Sequence, residues 1–280
     1  MLATTHTLVE IDDGLRLMIH RRGSGAPAVI CVSCAGGTHD EWAQVTSRLR
    51  TLTEIATYGR PSLGGSDPLP PGLAGPLHSI GWTAAQLRTL LQRAAIAPPY
   101  VLLTSSIGGW IADQYTARWP AEVAGLVLVD PTNLSPWPTT LREPPLIDGN
   151  DRAGAIRFSS EHSYTELARS TPPHQPRCVV ISSSDGRWQR QPPLPGEFRW
   201  WEPLTLTEVD QLWQSYQRQW VHRLGARHVV ADTTGHFVHR DEPNLVTHVV
   251  KAVLDAARSG RPVHLDPTAV AANAGRLNAS

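Results

Sequence analysis

The chain has 280 residues, 25 of them Lys or Arg and 25 Asp or Glu, for a formal net charge of zero. That length can bury one large α/β core, and the even charge balance without a long basic run argues against a nucleic-acid binder. Residues 1–6 lack the basic start and apolar stretch of a signal peptide, apolar runs such as 125–129 are too short to span a bilayer, and three cysteines (Cys31, Cys34, Cys178) are too few for a disulfide framework, so a cytoplasmic protein with no membrane partner is expected.

In chain order, residues 5–11 and 15–21 alternate apolar and polar side chains, as half-exposed antiparallel strands do. Residues 28–33 are a continuous apolar run and read as a buried strand. Trp42, Val45, Leu49 and Leu52 give residues 41–52 a helical period, and 53–58 follow as a short strand. Residues 83–96 carry Ala84, Leu87, Leu90, Leu91 and Ala94 on one side of a helix, with Thr83 as its expected N-cap. A strand over 100–103 runs into Thr104-Ser105-Ser106-Ile107-Gly108-Gly109, and a helix is expected over 109–118. Another buried strand, 123–129, ends at Asp130-Pro131.

Residues 131–176 are rich in Pro, Thr, Ser and charge with weak periodicity, which predicts an inserted lid. A strand resumes over 177–182, and 186–203 form a Pro- and Trp-rich loop. Val209, Leu212, Trp213, Tyr216, Trp220 and Leu224 share a face of a helix over 208–224, with Thr205 and Glu208 set for a capping box and Gly225 at the C′ position. A strand over 228–231 and a helix over 244–258 complete a domain of residues 1–258, and 259–280 read as a mobile tail. Strands alternating with helices predict an α/β fold: a mostly parallel sheet covered on both faces, with functional groups at the carboxyl ends of the strands.

A buried strand that turns sharply into a helix leaves one hydroxyl, that of Ser106, at the apex, and places backbone N–H groups at a helix N-terminus where they can hold a developing oxyanion. A serine hydroxyl needs a base in reach. His236, in Thr233-Thr234-Gly235-His236-Phe237 just after a buried strand, can take its proton and return it to a leaving group.

Four segments, in order, carry a resemblance to the α/β-hydrolase superfamily over about residues 5–258. They are Ser33-Cys34-Ala35-Gly36-Gly37 followed by Trp42, the Tyr58 to Asp67 loop, Ser105-Ser106-Ile107-Gly108-Gly109, and the His236 loop. The familiar Gly-x-Ser-x-Gly is Thr-x-Ser-x-Gly here. The resemblance implies Ser106 as nucleophile, His236 as base, and an oxyanion hole from the amides of Ala35 and Ile107. Its acid follows a strand end, which leaves two choices: Asp185 in the usual place, or Asp130 one strand earlier, favoured by the short spacing after 178–182. Arg60 and Asp67 are expected to brace a loop, and His239 to lie at a loop surface. Cys34, His39, Trp188, Trp200 and Trp201 are expected at the substrate pocket, and Trp213 and Trp220 in the core. No metal-ligand spacing and no cofactor motif is evident.

The function expected is a serine hydrolase acting on an ester, lactone, thioester or amide of a fairly apolar small molecule. The alternatives are a non-hydrolytic enzyme of the same fold (a cyclase, isomerase or acyltransferase of specialised metabolism) and a ligand-binding protein with little turnover. Nothing in the chain predicts an oligomeric state.

Overall fold

The structure, a computed structural model, describes residues 4–12, 14–139, 154–174, 177–190 and 202–278. Its strands are β1 (Thr5–Glu10), β2 (Arg16–Arg22), β3 (Ala28–Val32), β4 (Ile55–Tyr58), β5 (Tyr100–Ser105), β6 (Val123–Val129), β7 (Cys178–Ser182), β8 (Arg227–Ala231) and β9 (Gly275–Asn278). They form one sheet in the order β1-β2-β4-β3-β5-β6-β7-β8-β9. β4, β3, β5, β6, β7 and β8 run parallel, while β1, β2 and β9 are antiparallel to their neighbours. The helices are α1 (Ala43–Leu49), α2 (Pro71–Ala74), α3 (Ile80–Arg93), α4 (Gly108–Arg118), α5 (Ser160–Arg169), α6 (Arg187–Arg190), α7 (Leu206–Leu224), α8 (Val238–Asp241), α9 (Pro243–Ser259) and α10 (Pro267–Ala271).

The side-chain period of a strand is two, and here it divides the apolar residues between two cores. Ile30, Val32, Leu102, Leu126, Leu128 and Val180 face α3, α4 and α7, with Leu87, Ile111, Tyr115 and Trp220 packed on them. Val29, Cys31, Val101, Leu103, Val127, Val129, Val179 and Ile181 face α1 and α9, against Val45, Leu49, Val246, Val250 and Val253. Being covered on both faces explains why the central strands read as continuous apolar runs rather than alternating ones. The α/β fold class read from the sequence is the one observed.

Several boundaries move for local reasons. α3 starts at Ile80, and its N-cap is Ser79, whose Oγ accepts from the Trp82 amide at 3.2 Å; Thr83 is instead in the first turn, buried, with its hydroxyl on the Ser79 carbonyl. Residues 41–52 divide into a 3-10 turn, His39–Trp42, and α1. The capping box of α7 forms as expected, with Thr205 and Glu208 exchanging bonds, and the helix ends at Gly225 in the left-handed region. The stretch 259–280 is no loose tail where it is described. Val263, Leu265 and Val270 are buried, and β9 pairs with β8 from Ala231↔Gly275 to His228↔Asn278. A strand of four residues, with Leu277 against the core, has too little pattern to be seen in a sequence.

The expected insertion, about 131–176, is described in part. Residues 154–174 are stitched to the chain before α3: the His78 amide donates to the Arg157 carbonyl and the Ser159 amide to the His78 carbonyl. Glu166 on α5 accepts from Ser79 Oγ and the Gly81 amide, both at 2.8 Å, which sets a carboxylate at the positive end of α3. Ile156, Phe158, Tyr164 and Leu167 join the core shared with α3 and α4. No helix among the described residues is long and apolar enough to cross a membrane.

Candidate active site

The turn between β5 and α4 puts Ser106 at φ 53°, a left-handed backbone conformation that a non-glycine residue adopts only where its surroundings impose it. Two hydrogen bonds impose it here. The Ser106 amide donates to the Val129 carbonyl, and the Ser106 carbonyl accepts from the Thr132 amide, both at 3.2 Å. Gly108 and Gly109 make the close approach possible. A Cβ on Gly108 would collide with the Val32 carbonyl and sit 3.2 Å from the Thr104 Cβ, and one on Gly109 would sit 2.8 Å from Pro131 Cβ. Thr104, in place of the usual glycine, is thus accommodated by the missing side chain at 108. Ser106 Oγ is paired with Thr132 Oγ1 at 3.1 Å.

The two candidate carboxylates have different partners. Asp130, at the end of β6 and φ 43°, is fully buried and accepts a hydrogen bond from His236 Nδ1 at 2.7 Å. A carboxylate is an acceptor only, so Nδ1 carries the hydrogen and Nε2 is left as the accepting nitrogen. Asp185 has a side chain 61% exposed and forms an ion pair with Arg276 of β9. β9, absent from the sequence reading, is thus the partner of this carboxylate, which has no bond to the imidazole among the described residues.

Asp130 is held from several directions. Oδ1 accepts from the Ser183 amide and hydroxyl at 2.9 Å and from Trp213 Nε1 at 3.0 Å. Oδ2, besides the imidazole, faces Arg187 Nη1 at 3.2 Å. Burial works to raise this carboxyl, but the Arg187 charge, the His236 contact and the Ser183 donors outweigh it and hold the group below the usual carboxylate range. The loop after Asp130 is fastened by one face of α7: Trp213, Gln217 and Trp220 donate to Asp130 Oδ1, the Pro131 carbonyl and the Thr132 carbonyl, at 3.0, 2.8 and 2.7 Å. Trp110 of α4 adds a bond to the Asn133 carbonyl. Trp213 is therefore a site residue as well as a core one.

The loop after β3 lies beside this turn. The amides of Ala35 and Ile107, the two expected oxyanion donors, have no acceptor among the described residues. Arg60 is buried and donates to the carbonyls of Ser33 and Cys34, so it braces this loop; Asp67 pairs with Arg16 at 2.6 Å. Glu41 ties the loop to the serine turn. It accepts from the Cys34 amide and thiol and from Ser105 Oγ, at 3.2, 3.1 and 3.0 Å. Cys34, expected at the pocket, thus points its thiol at a buried carboxylate, and burial with the Glu41 charge pushes the thiol up to about 12. His39, also expected there, stacks on His20 at 3.8 Å, on the β2 side. His239, expected at the surface, is fully buried and stacks on Trp42 at 4.5 Å; burial brings it down to about 3.

Trp188 lies in α6, over the Arg187 guanidinium, while Trp200 and Trp201 fall outside the described residues. The aromatic surroundings of the imidazole are instead Trp213 and Phe237, with ring centroids at 5.6 and 5.2 Å. Trp137 extends this cluster toward Trp213 and Tyr216. No group of three or more His, Cys, Asp or Glu among the described residues is arranged to hold a metal ion. Glu41, Thr132 and Arg187 escaped the sequence reading. Glu41 adjoins Trp42 in the loop motif, a weak signal; nothing distinguishes Arg187 from the other basic residues of the chain.

Comparison with known proteins follows the same geometry. The model of the Alpha/beta hydrolase family matches residues 29–249. Among solved structures, a thermophilic esterase from Thermogutta terrifontis superposes with a TM-score of 0.60 at 14% identity, covering 91% of this chain and 99% of that one. The haloalkane dehalogenase DatA from Agrobacterium tumefaciens gives 0.59 at 13% identity, covering 91% and 97%. Among curated proteins, the uncharacterized protein YqjL of Bacillus subtilis is 25% identical over 112 residues, 40% of this chain and 42% of that protein. The spectinabilin polyketide synthase system protein NorC of Streptomyces orinoci is 30% identical over 156 residues, 53% of this chain and 6% of that protein. The chain thus matches less than half the length of these curated relatives.

Proposed function

This chain belongs to the alpha/beta hydrolase family, and we propose that it works there as a serine hydrolase, forming an acyl-enzyme on Ser106. The observation that carries the reading is the 2.7 Å bond from His236 Nδ1 to the buried Asp130, at the end of the strand next to the one that presents Ser106. Asp130 fixes the tautomer and stabilises the imidazolium, and His236 Nε2 takes the Ser106 proton as Oγ attacks the acyl carbon. The amides of Ala35 and Ile107 then receive the tetrahedral oxyanion. His236 returns the proton to the leaving group, and water, deprotonated by the same nitrogen, releases the acid.

In the structure the Ser106 hydroxyl is bonded to Thr132 Oγ1, a contact that attack has to give up. The ring cluster of Trp137, Trp213, Tyr216 and Phe237 beside the imidazole supports a small apolar ester, lactone, thioester or amide as substrate. The three buried thiols fit a reducing compartment such as the cytoplasm.

The test is covalent labelling with a fluorophosphonate probe. Wild type and Asp185→Asn are expected to label at similar rates, Asp130→Asn at least about a hundredfold more slowly, and Ser106→Ala not at all. Labelling that survives in Ser106→Ala overturns the nucleophile. A slow Asp185→Asn beside a normal Asp130→Asn overturns the acid.

A further inference from the structure

In the loop after β7, where the family resemblance implies a carboxylate, a cation turns toward the imidazole's partner instead. Asp185 points outward, and two residues later Arg187 turns in. Its guanidinium is buried, 3.2 Å from the same Asp130 oxygen that accepts the hydrogen bond from His236 Nδ1. It is clamped between two indole faces, 4.6 Å from the Trp188 ring centroid and 4.5 Å from that of Trp213. Trp213 also donates to the other oxygen of Asp130. A second buried carboxylate, Asp210 of α7, bears on the Arg187 charge; its Oδ2 accepts from the Gly186 amide, one residue before Arg187, at 2.8 Å while Oδ1 has no hydrogen-bond partner.

We propose that Arg187 is a positioning residue that sets the proton affinity of the His236–Asp130 couple, by sharing the Asp130 carboxylate with the imidazole and neutralising it in part. The inference rests on the serine hydrolase reading and adds to it a charge that the reading does not need. A buried carboxylate facing only an imidazole stabilises the imidazolium strongly, because little water screens the pair. A guanidinium on the same oxygen takes up much of that field. The imidazolium is then less favoured, and His236 stays neutral, and able to accept the Ser106 proton, at lower pH. Asp210 opposes this effect, since its negative charge offsets that of Arg187.

The other charged groups around the imidazole are few. On α8, His239 is buried and held neutral, Arg240 lies over the Phe237 ring and 3.6 Å from Glu41, and Asp241 accepts from the Gly235 amide. None of these bonds to Asp130. Arg187 and Asp210 are therefore the adjustable part of the field, and the two act with opposite sign.

The experiment measures the rate of fluorophosphonate labelling against pH in wild type, Arg187→Met, Arg187→Lys and Asp210→Asn, beside the titration of the His236 ring followed by NMR. Arg187→Met is expected to move the acid limb of the profile up by about one pH unit, so that labelling well below the limb falls about tenfold, and Arg187→Lys to restore most of it. Asp210→Asn is expected to move the limb the other way, by about half a unit. A merely structural role for Arg187 would lower amplitude in every variant and leave the limb in place.

If Arg187→Met fails to fold, Asp210→Asn and Arg187→Lys still decide. Limbs that stay put, or shift in the same direction in Arg187→Met and Asp210→Asn, overturn the proposal. If wild type does not label at all, the serine hydrolase reading falls on its own, and the His236 titration continues to test the Arg187 effect.

Discussion

Cys34 is the side chain whose chemistry differs most from its address. It sits in the loop expected to receive the oxyanion, one residue before Ala35, yet its thiol is bonded to Glu41 and pushed up to about 12. Cys31 and Cys178 are buried as well, and burial raises both. The thiolate is the reactive form, so none of the three should be modified in the folded protein near neutral pH. A colorimetric disulfide reagent at pH 8 is expected to find no thiol in the native chain and three after denaturation. A fast native phase would show that the Glu41 contact is open in solution. The same scale holds the backbone strain of the site: Ser106 and Asp130 both have positive φ, which costs a non-glycine residue about 1–2 kcal/mol. That strain is offset by the bonds from Val129, Thr132 and Ser183 that fix the two turns.

At the scale of elements, α7 fastens the acid loop. Trp213, Gln217 and Trp220 fall at helical spacing, and each donates to a successive residue of the loop 130–132. Gln217→Leu is expected to leave the Pro131 carbonyl without its donor, lower stability by about 1–2 kcal/mol in urea unfolding, and slow labelling of Ser106. Thr205→Ala, at the far end of the same helix, removes a capping box worth about 1 kcal/mol and should leave the labelling rate alone. Equal losses of labelling in both would mean that α7 acts only through overall stability. The sequence showed α7 plainly because its apolar period and both caps are local signals. Ser106, His236 and the pair of possible acids were likewise legible, because each follows a buried strand. What stayed hidden depends on partners far along the chain. Asp130, not Asp185, bonds His236 while Asp185 pairs with Arg276, and the Glu41 and Arg187 contacts join residues more than fifty positions apart, to Ser105 and Asp130. Tertiary contacts of that kind have no period to read.

At the scale of the whole molecule, the zero net charge conceals several histidines kept neutral by burial. His20 and His228 are brought down to about 4 and His239 to about 3, each chiefly by burial. An unfolded histidine titrates near 6.5, so below that pH the unfolded chain binds protons that the folded one refuses. Stability is therefore fully present above about pH 6.5 and declines as pH falls from there toward about 4. The urea midpoint is expected to be flat from pH 7 to 8 and to drop between pH 6.5 and 4.5; a midpoint unchanged down to pH 5 would contradict the burial of these rings. The mutual bonding of the two left-handed turns has a consequence of its own. Val129 and Thr132 clasp Ser106 on either side of Asp130, so the turns that carry Ser106 and Asp130 are two leaves of one hinge. Opening either turn breaks the bonds that hold the other, so Ser106 and Asp130 are expected to lose their order together when the top of the sheet melts locally.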